Sequence, residues 1–154
     1  MIPVQRLNHA VLYVRDAAKS AEWYQQVFGF AVIMEIPGIG TFLRAAASDN
    51  HHDLALFTVG ASAPGPEPGR VGLYHLAWQV GSIRDLVLAR KILIDHGALV
   101  GESDHGATKS LYGKDLDGNE FEVMWMVPRT EWPPDDATEM IAPLDLDAEV
   151  AKYG

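Results

Sequence analysis

Two stretches of the sequence repeat each other, and this repeat limits what the chain can fold into. Residues 7–14 and 73–80 both alternate apolar and other side chains, and each stretch carries a histidine at its third position. These histidines, His9 and His75, are 66 positions apart. Because repeated stretches mark repeated structural units, the sequence predicts two similar modules within one chain.

Each module is predicted to contain a strand, a helix and then three strands. In the first module, Asp16 and Gly29 are the expected start and end signals of the helix. In the second module, the helix begins at Ser82 and Asp85, runs through Ile94 and ends at Gly97. Alternation and β-branched content predict these strands: 7–14, 31–36, 41–46 and 53–59 in module one, and 73–80, 99–102, 108–114 and 120–127 in module two.

The segments between and after the modules differ in composition. Residues 60–69 are too rich in Pro and Gly for a helix or strand and predict a linker. The expected architecture is therefore α+β, with two paired βαβββ modules forming a cupped mixed β-sheet and the helices on its outer face. We expect one domain over 1–154, with these parts: module one at about 5–59, the linker, module two at about 70–127 and a tail at 128–154 whose residues 144–153 form a short helix.

Composition removes several classes of protein from consideration. The 154 residues include no cysteine, so disulfides, zinc–thiolate sites and iron–sulfur clusters are excluded and only nitrogen and oxygen donors remain for a metal. The net charge of −9 and the lack of a basic cluster exclude nucleic acid as an expected partner. Residues 1–6 lack a secretory core and no apolar run spans a bilayer, which predicts a cytoplasmic location without a membrane partner.

Strand alternation places His9, His75 and Glu122 on the face away from the helices. Two histidines and one carboxylate from separate strands are the ligand set of an iron or manganese site with open coordination positions. The alternatives are a histidine with a purely structural role and, for Glu122, an edge-strand glutamate in water. The glycines that end the two helices are 68 positions apart. With this offset, the residue of module one that corresponds to Glu122 is Leu54. Leucine cannot coordinate a metal, which leaves three protein ligands.

Three further side chains are candidates for the same site. His52 lies two residues before Leu54 and is expected on its side of the sheet, where a neutral imidazole can transfer protons; the alternative is a polar histidine at a strand end. Its neighbour His51 is expected at the surface. Tyr112 lies in the strand that the turn at 117–119 joins to the Glu122 strand, and His105 lies in a nearby loop. A tyrosine in a strand is more commonly a packing residue.

The motifs that carry these side chains resemble a known family. Residues 7–16 (LNHAVLYVRD) and 23–30 (WYQQVFGF) resemble the opening module of the vicinal oxygen chelate superfamily, which includes glyoxalases, bleomycin-resistance proteins and extradiol dioxygenases. Five segments are similar to single-domain catechol 2,3-dioxygenase-like proteins, the type I extradiol enzymes: 52–56 (HDLAL), 74–77 (YHLA), 104–106 (DHG), 110–112 (SLY) and 115–122 (DLDGNEFE). The likeness runs from about residue 5 to 127.

The resemblance implies an oxidoreductase of aromatic compound catabolism that cleaves a catechol-type diol with O₂. It implies that His9, His75 and Glu122 bind Fe(II), with Mn(II) as the alternative ion, that His52 handles protons and that His105 and Tyr112 hold substrate. It also implies a homodimer or higher homo-oligomer. Leu116, where the family usually has proline, and Gly113-Lys114 depart from the family pattern. The alternatives are a glyoxalase-like metal-dependent lyase or isomerase and a bleomycin-resistance-type binding protein.

Overall fold

The computed structural model describes residues 1–134 and 141–154. The chain divides into two compact units, Met1–Pro66 and Glu67–Gly154, and the division falls inside the predicted linker. Each unit contains one four-stranded mixed sheet, and the described residues form three α-helices. The predicted α+β class and the two βαβββ modules are confirmed. None of the described helices is long and apolar enough to cross a membrane.

The first unit follows the predicted order of strand, helix and three strands. Its elements are β1 (Ala10–Val14), α1 (Ala17–Phe28), β2 (Ala31–Ile36), β3 (Gly40–Arg44) and β4 (Leu54–Thr58). The sheet order is β1-β4-β3-β2, with β1 parallel to β4 and the other pairs antiparallel.

Helix α1 begins and ends where the sequence predicts. The Asp16 carboxylate accepts hydrogen bonds from the amides of Ala18 and Lys19, which would otherwise lack partners in the first turn. Gly29 ends the helix in the left-handed conformation, at φ 67°. The helix covers one face of the sheet, and the core there contains fully buried or nearly buried side chains: Val14, Tyr24, Leu43, Leu54 and Leu56.

The second unit repeats this arrangement and adds a terminal helix. Its elements are β5 (His75–Gln79), α2 (Ile83–Asp95), β6 (Leu99–Asp104), β7 (Thr108–Lys114), β8 (Glu120–Met126), a 3₁₀ turn (Arg129–Glu131) and α3 (Leu146–Tyr153). The sheet order is β5-β8-β7-β6, with β5 parallel to β8. Ser82 caps α2 by accepting a hydrogen bond from the Asp85 amide. The buried core of the unit includes these side chains: Ile83, Leu86, Leu93, Leu111 and Phe121.

The first strands of both modules are shorter than predicted. The sequence predicts β1 from residue 7 and β5 from residue 73, but they begin at Ala10 and His75. Ala10 is paired with Leu54 and His75 with Glu120, the first residues of their partner strands. The partner strand therefore sets where the ladder begins, because a strand needs a neighbour to hydrogen-bond with.

The strand register corrects the predicted counterpart of Glu122. In the second unit, Glu122 lies beside Ala77, and the residue 66 positions before Ala77 is Val11, which lies beside Ala55. Glu122 therefore corresponds to Ala55, and the prediction of Leu54 was wrong by one residue. Leu54 is fully buried and shares the helix-covered face with Leu12, since alternate residues of a strand face the same side. Alanine, like leucine, cannot coordinate a metal.

Candidate metal and substrate site

The first unit brings His9 and His52 together. Their ring centroids lie 4.4 Å apart, and the His52 ring is nearly perpendicular to the Phe42 ring, with the centroids 5.2 Å apart. Phe42 is paired with Ala55, which lies beside Val11, so this cluster is on the sheet face opposite α1. Residue 52 precedes β4, so strand alternation does not orient its side chain. His52 thus reaches the expected face, but not for the predicted reason of sharing it with Leu54.

A network of hydrogen bonds fixes the segments that carry these two histidines. The Asn8 side-chain oxygen is 2.8 Å from His9 Nδ1, and the Asn8 side-chain nitrogen donates a hydrogen bond to Asn50 Oδ1. The Asn50 side-chain nitrogen donates in turn to the backbone carbonyl of Asn8 and to Asp53 Oδ1, both at 2.8 Å. With Nδ1 of His9 hydrogen-bonded to Asn8, its Nε2 is the nitrogen available to a ligand.

His52 is positioned to be neutral at pH 7. Partial burial lowers its pKa below 6.5, the nearby imidazoles of His9 and His51 lower it further, and the Asp53 carboxylate opposes this only in part. A neutral imidazole has a free lone pair and can accept a proton. His51 is exposed, as predicted, with its ring at right angles to that of His52.

The second unit brings His75 and Glu122 into direct contact. His75 Nε2 lies 3.2 Å from Glu122 Oε2, and only 12% of the glutamate side chain is exposed. Strand β8 lies between β5 and β7, so the alternative that Glu122 is an edge-strand residue in water was wrong. With metal–ligand bonds of about 2.1 Å, two ligand atoms at a right angle are about 3.0 Å apart, so this pair fits one divalent ion.

Tyr112 and His105 flank that pair. Tyr112 is the cross-strand partner of Glu122, and its ring centroid is 5.8 Å from that of His75. Its hydroxyl is 2.7 Å from His105 Nε2. Burial raises the pKa of the Tyr112 phenol above 10.0, and the negative charge of Glu122 raises it further. Tyr112 therefore remains protonated at neutral pH and can donate a hydrogen bond.

Sequence reasoning missed Tyr74, Asn8 and Asn50. The Tyr74 ring lies 4.9 Å from His75, and its hydroxyl is hydrogen-bonded to Glu120, which raises the Tyr74 pKa. Tyr74 precedes a predicted ligand directly, and that adjacency was the available signal. Asn50 gave no local signal, because its partner Asn8 is 42 residues away in the sequence.

The structure gathers the six predicted site residues in two groups. His9 and His52 lie together in the first unit, while the second unit holds His75, Glu122, Tyr112 and His105. Within residues 1–134 and 141–154, no three His, Asp or Glu side chains are grouped closely enough to form a metal site. The assignment of His9, His75 and Glu122 to one ion stays a prediction.

Comparison with known proteins identifies the family. Residues 6–123 match the model of the Glyoxalase/Bleomycin resistance protein/Dioxygenase superfamily. The chain is 31% identical over 135 residues to a catechol-2,3-dioxygenase of Bacillus subtilis (strain 168), covering 84% of this chain and 44% of that protein. It is 35% identical over 125 residues to biphenyl-2,3-diol 1,2-dioxygenase 3 of Rhodococcus globerulus, covering 80% of this chain and 64% of that protein. The chain therefore spans less than two thirds of these relatives.

A solved structure supports the fold independently. The glyoxylase/bleomycin resistance protein/dioxygenase domain from Frankia sp. EAN1pec superposes with a TM-score of 0.65 at 22% identity, over 80% of this chain and 98% of that one. The family match covers most of the chain and the fold agrees with it. The protein belongs to the glyoxalase/bleomycin resistance protein/dioxygenase superfamily.

Proposed function

We propose that the protein is an Fe(II)-dependent extradiol dioxygenase that opens the ring of a catechol-type substrate with O₂. The observation that carries this proposal is the contact between His75 and Glu122, flanked by the hydrogen-bonded Tyr112 and His105. The relatives named as diol dioxygenases support it, since they are 31% and 35% identical to this chain over 84% and 80% of its length. In this proposal the two units act together as one domain.

His75, Glu122 and His9 are the proposed ligands of the metal. The donor set contains only imidazole nitrogen and carboxylate oxygen, which suits Fe(II) and, as the alternative, Mn(II). The low exposure of Glu122 also fits, because a shielded carboxylate is costly without a cation beside it. Bound iron would supply the one-electron chemistry that allows dioxygen to react with an aromatic diol.

The remaining residues would bind the substrate and move protons. His52, neutral at pH 7, is suited to accept a proton from a substrate hydroxyl and to return it later in the reaction. The Tyr112 phenol is suited to donate a hydrogen bond to a substrate oxygen, and His105, which contacts its hydroxyl, fixes the direction of that bond. Phe42 packs against the His52 ring and restricts its orientation.

The proposal is tested on protein purified without oxygen and loaded with Fe(II). A panel of substituted catechols is mixed with O₂, and the yellow ring-opened product is followed by its absorbance. The same assay without O₂ should give no product. Turnover that continues without O₂ would identify a lyase or isomerase instead, and tight catechol binding without turnover would identify a binding protein.

Two substitutions separate the proposed roles. His52→Ala should keep its iron and lose about 10²–10⁴-fold in kcat, because only the proton-transfer group is removed. His75→Ala should lose the iron itself, as measured by metal analysis after gel filtration. His96→Ala is the matched control, since His96 is an exposed histidine at the end of α2 with no proposed role in the site. Unchanged turnover of His52→Ala would remove His52 from the mechanism.

A further inference from the structure

The C-terminal segment of the chain contacts the turn that carries His105. This turn, residues 104–108, joins β6 to β7 and is closed by the His105 amide, which donates to the Thr108 carbonyl at 2.9 Å. The Asp104 carboxylate accepts a hydrogen bond from the Gly106 amide at 2.7 Å. His105 extends from this turn to the Tyr112 hydroxyl. Anything that holds Asp104 therefore also holds His105.

Residues after β8 hold Asp104 through its backbone. Asp104 and Ala142 exchange two hydrogen bonds, the Asp104 amide to the Ala142 carbonyl at 2.8 Å and the Ala142 amide to the Asp104 carbonyl at 2.9 Å. This is an antiparallel bridge on the outer side of β6, which is the edge strand of the sheet as far as the structure describes it. The end of the chain thus extends the sheet beside the turn.

A buried lysine makes a second connection between the turn and α3. Lys109 is 6% exposed, and its ammonium lies 2.6 Å from the Asp104 carboxylate and 3.3 Å from the Glu149 carboxylate. A buried charge needs partners of opposite sign, and here one partner belongs to the turn and the other to the terminal helix. Removal of either carboxylate would leave the ammonium incompletely paired.

The segment after β8 packs on the turn as well. A Cβ atom on Gly106 would lie 3.0 Å from Pro133 Cγ, a tight contact, and Gly106 has φ +74°, so both features favour glycine there. Pro133 is itself fixed by its neighbour Trp132, whose indole N–H donates to the Val127 carbonyl at 2.9 Å.

We propose that the C-terminal segment, residues 132–134 and 141–154, positions His105 for substrate binding by holding the 104–108 turn through Ala142, Glu149 and Pro133. Ala142, Glu149 and Pro133 are positioning residues, since they act through His105. The inference rests on the proposed function, from which the substrate-binding role of His105 is taken. A protein that ended near Pro128 would keep the ligands His75 and Glu122 but would lose the contacts that Ala142, Glu149 and Pro133 make with the turn and with Lys109.

The test uses two variants of the full chain with matched controls. Ala142→Pro removes the amide that donates to Asp104, while Ala142→Ser retains it. Glu149→Gln removes one partner of Lys109, while Asp147→Asn makes the same charge change on the same helix without contact to Lys109. Amide hydrogen exchange of residues 104–108 is measured by mass spectrometry, and KM and kcat are measured with catechol and the Fe(II)-loaded protein.

Ala142→Pro and Glu149→Gln should accelerate exchange in the turn by about threefold to tenfold, the effect of one lost hydrogen bond, while the controls remain at the wild-type rate. KM for catechol should rise by a similar factor with kcat changed by less than about twofold. Unchanged exchange in both variants would overturn the inference, and so would faster exchange with unchanged KM. A wild-type protein that cleaves no diol would refute the proposed function instead, and catechol binding by calorimetry would then replace KM in the comparison.

Discussion

Gly113 shows how closely a single position is matched to its cross-strand neighbour. Gly113 is paired with Phe121, and a Cβ atom at residue 113 would lie 2.4 Å from Phe121 Cζ. The aromatic ring thus occupies the space that a side chain at 113 would need. This explains why Gly113 follows Tyr112 in a strand that otherwise carries ordinary β-forming residues.

We expect Gly113→Ala to destabilise the protein by about 1–3 kcal/mol, because the Phe121 ring is fully buried and cannot move aside cheaply. The free energy of unfolding is measured by urea titration. Gly113→Ala combined with Phe121→Leu should be more stable than the sum of the two single effects, since the smaller side chain admits the methyl group. Strict additivity would show that the two residues do not compete for space.

Asn8 acts on the proposed metal ligand that follows it. Its side-chain oxygen is 2.8 Å from His9 Nδ1, which leaves Nε2 for the metal. Asn8→Ala should weaken Fe(II) binding by about tenfold, the lower part of the range for removal of a ligand's hydrogen-bond partner, because water can partly replace an exposed amide. A competition titration with a chelator measures this. Asn8→Asp keeps the acceptor and should bind iron at least as well as Asn8→Ala; equal affinity of wild type and Asn8→Ala would contradict the assignment.

At the scale of elements, the helices could be predicted from local signals and the strand ladders only in part. Asp16 and Gly29 define α1 because caps act on the residues beside them, and the predicted bounds of 17–28 agree with the structure. The limits of a strand depend on a partner far away in the sequence. All eight strands of the described residues were therefore predicted, but the start of β1 was placed three residues early, and Leu54 instead of Ala55 was taken as the counterpart of Glu122 in the first module.

The connection between β3 and β4 depends on one carboxylate. Asp53 accepts hydrogen bonds from the Ala45 amide, the Ser48 hydroxyl and the Asn50 side chain, at 2.7–2.8 Å. Partial burial raises the Asp53 pKa, but these hydrogen bonds outweigh it and hold the pKa below 3.8. The ionised form is therefore favoured in the folded state, and residues 45–53, which include His52, are held in place by it.

A carboxyl whose pKa is lowered on folding stabilises the protein above its unfolded pKa. We expect the Asp53 contribution to be complete above about pH 5 and to disappear as the pH falls through 3.8 to the lowered folded pKa. Asp53→Asn should lower the free energy of unfolding by about 1–3 kcal/mol at pH 7. Its stability should also fall less than that of the wild type as the pH is lowered below about 5. Urea unfolding between pH 2 and 7 measures both. If Asp53→Asn were less stable than the wild type by the same amount at every pH, the charge of Asp53 would make no contribution to stability.

At the scale of the whole molecule, the sequence predicted the two modules but not what the end of the chain does. The repeat in residues 7–14 and 73–80 is visible because the same strand must be built twice. No local pattern identifies Ala142 as the partner of Asp104 or Glu149 as the partner of Lys109, since these contacts join distant parts of the second unit. The terminal helix was predicted to start at residue 144, two residues before its observed start at Leu146, where Asp145 caps it.

The proposal that His9 and His75 bind one ion makes a prediction about how substitutions of the two histidines combine. His9 belongs to the first unit and His75 to the second. If both bind the same ion, either His→Ala change removes most of the binding energy, and the double variant binds Fe(II) scarcely more weakly than either single variant. Fe(II) affinity is measured by chelator competition for wild type, both single variants and the double variant.

His51→Ala serves as the control in the same cycle, because its exposed ring contacts His52 and no proposed ligand. It should leave Fe(II) affinity unchanged and should combine additively with His75→Ala. An Fe(II) affinity that falls in His75→Ala but is unchanged in His9→Ala would mean that His9 does not bind the same ion. The proposed three-ligand centre would then be refuted, while the contact between His75 and Glu122 within the second unit would remain as a two-ligand site.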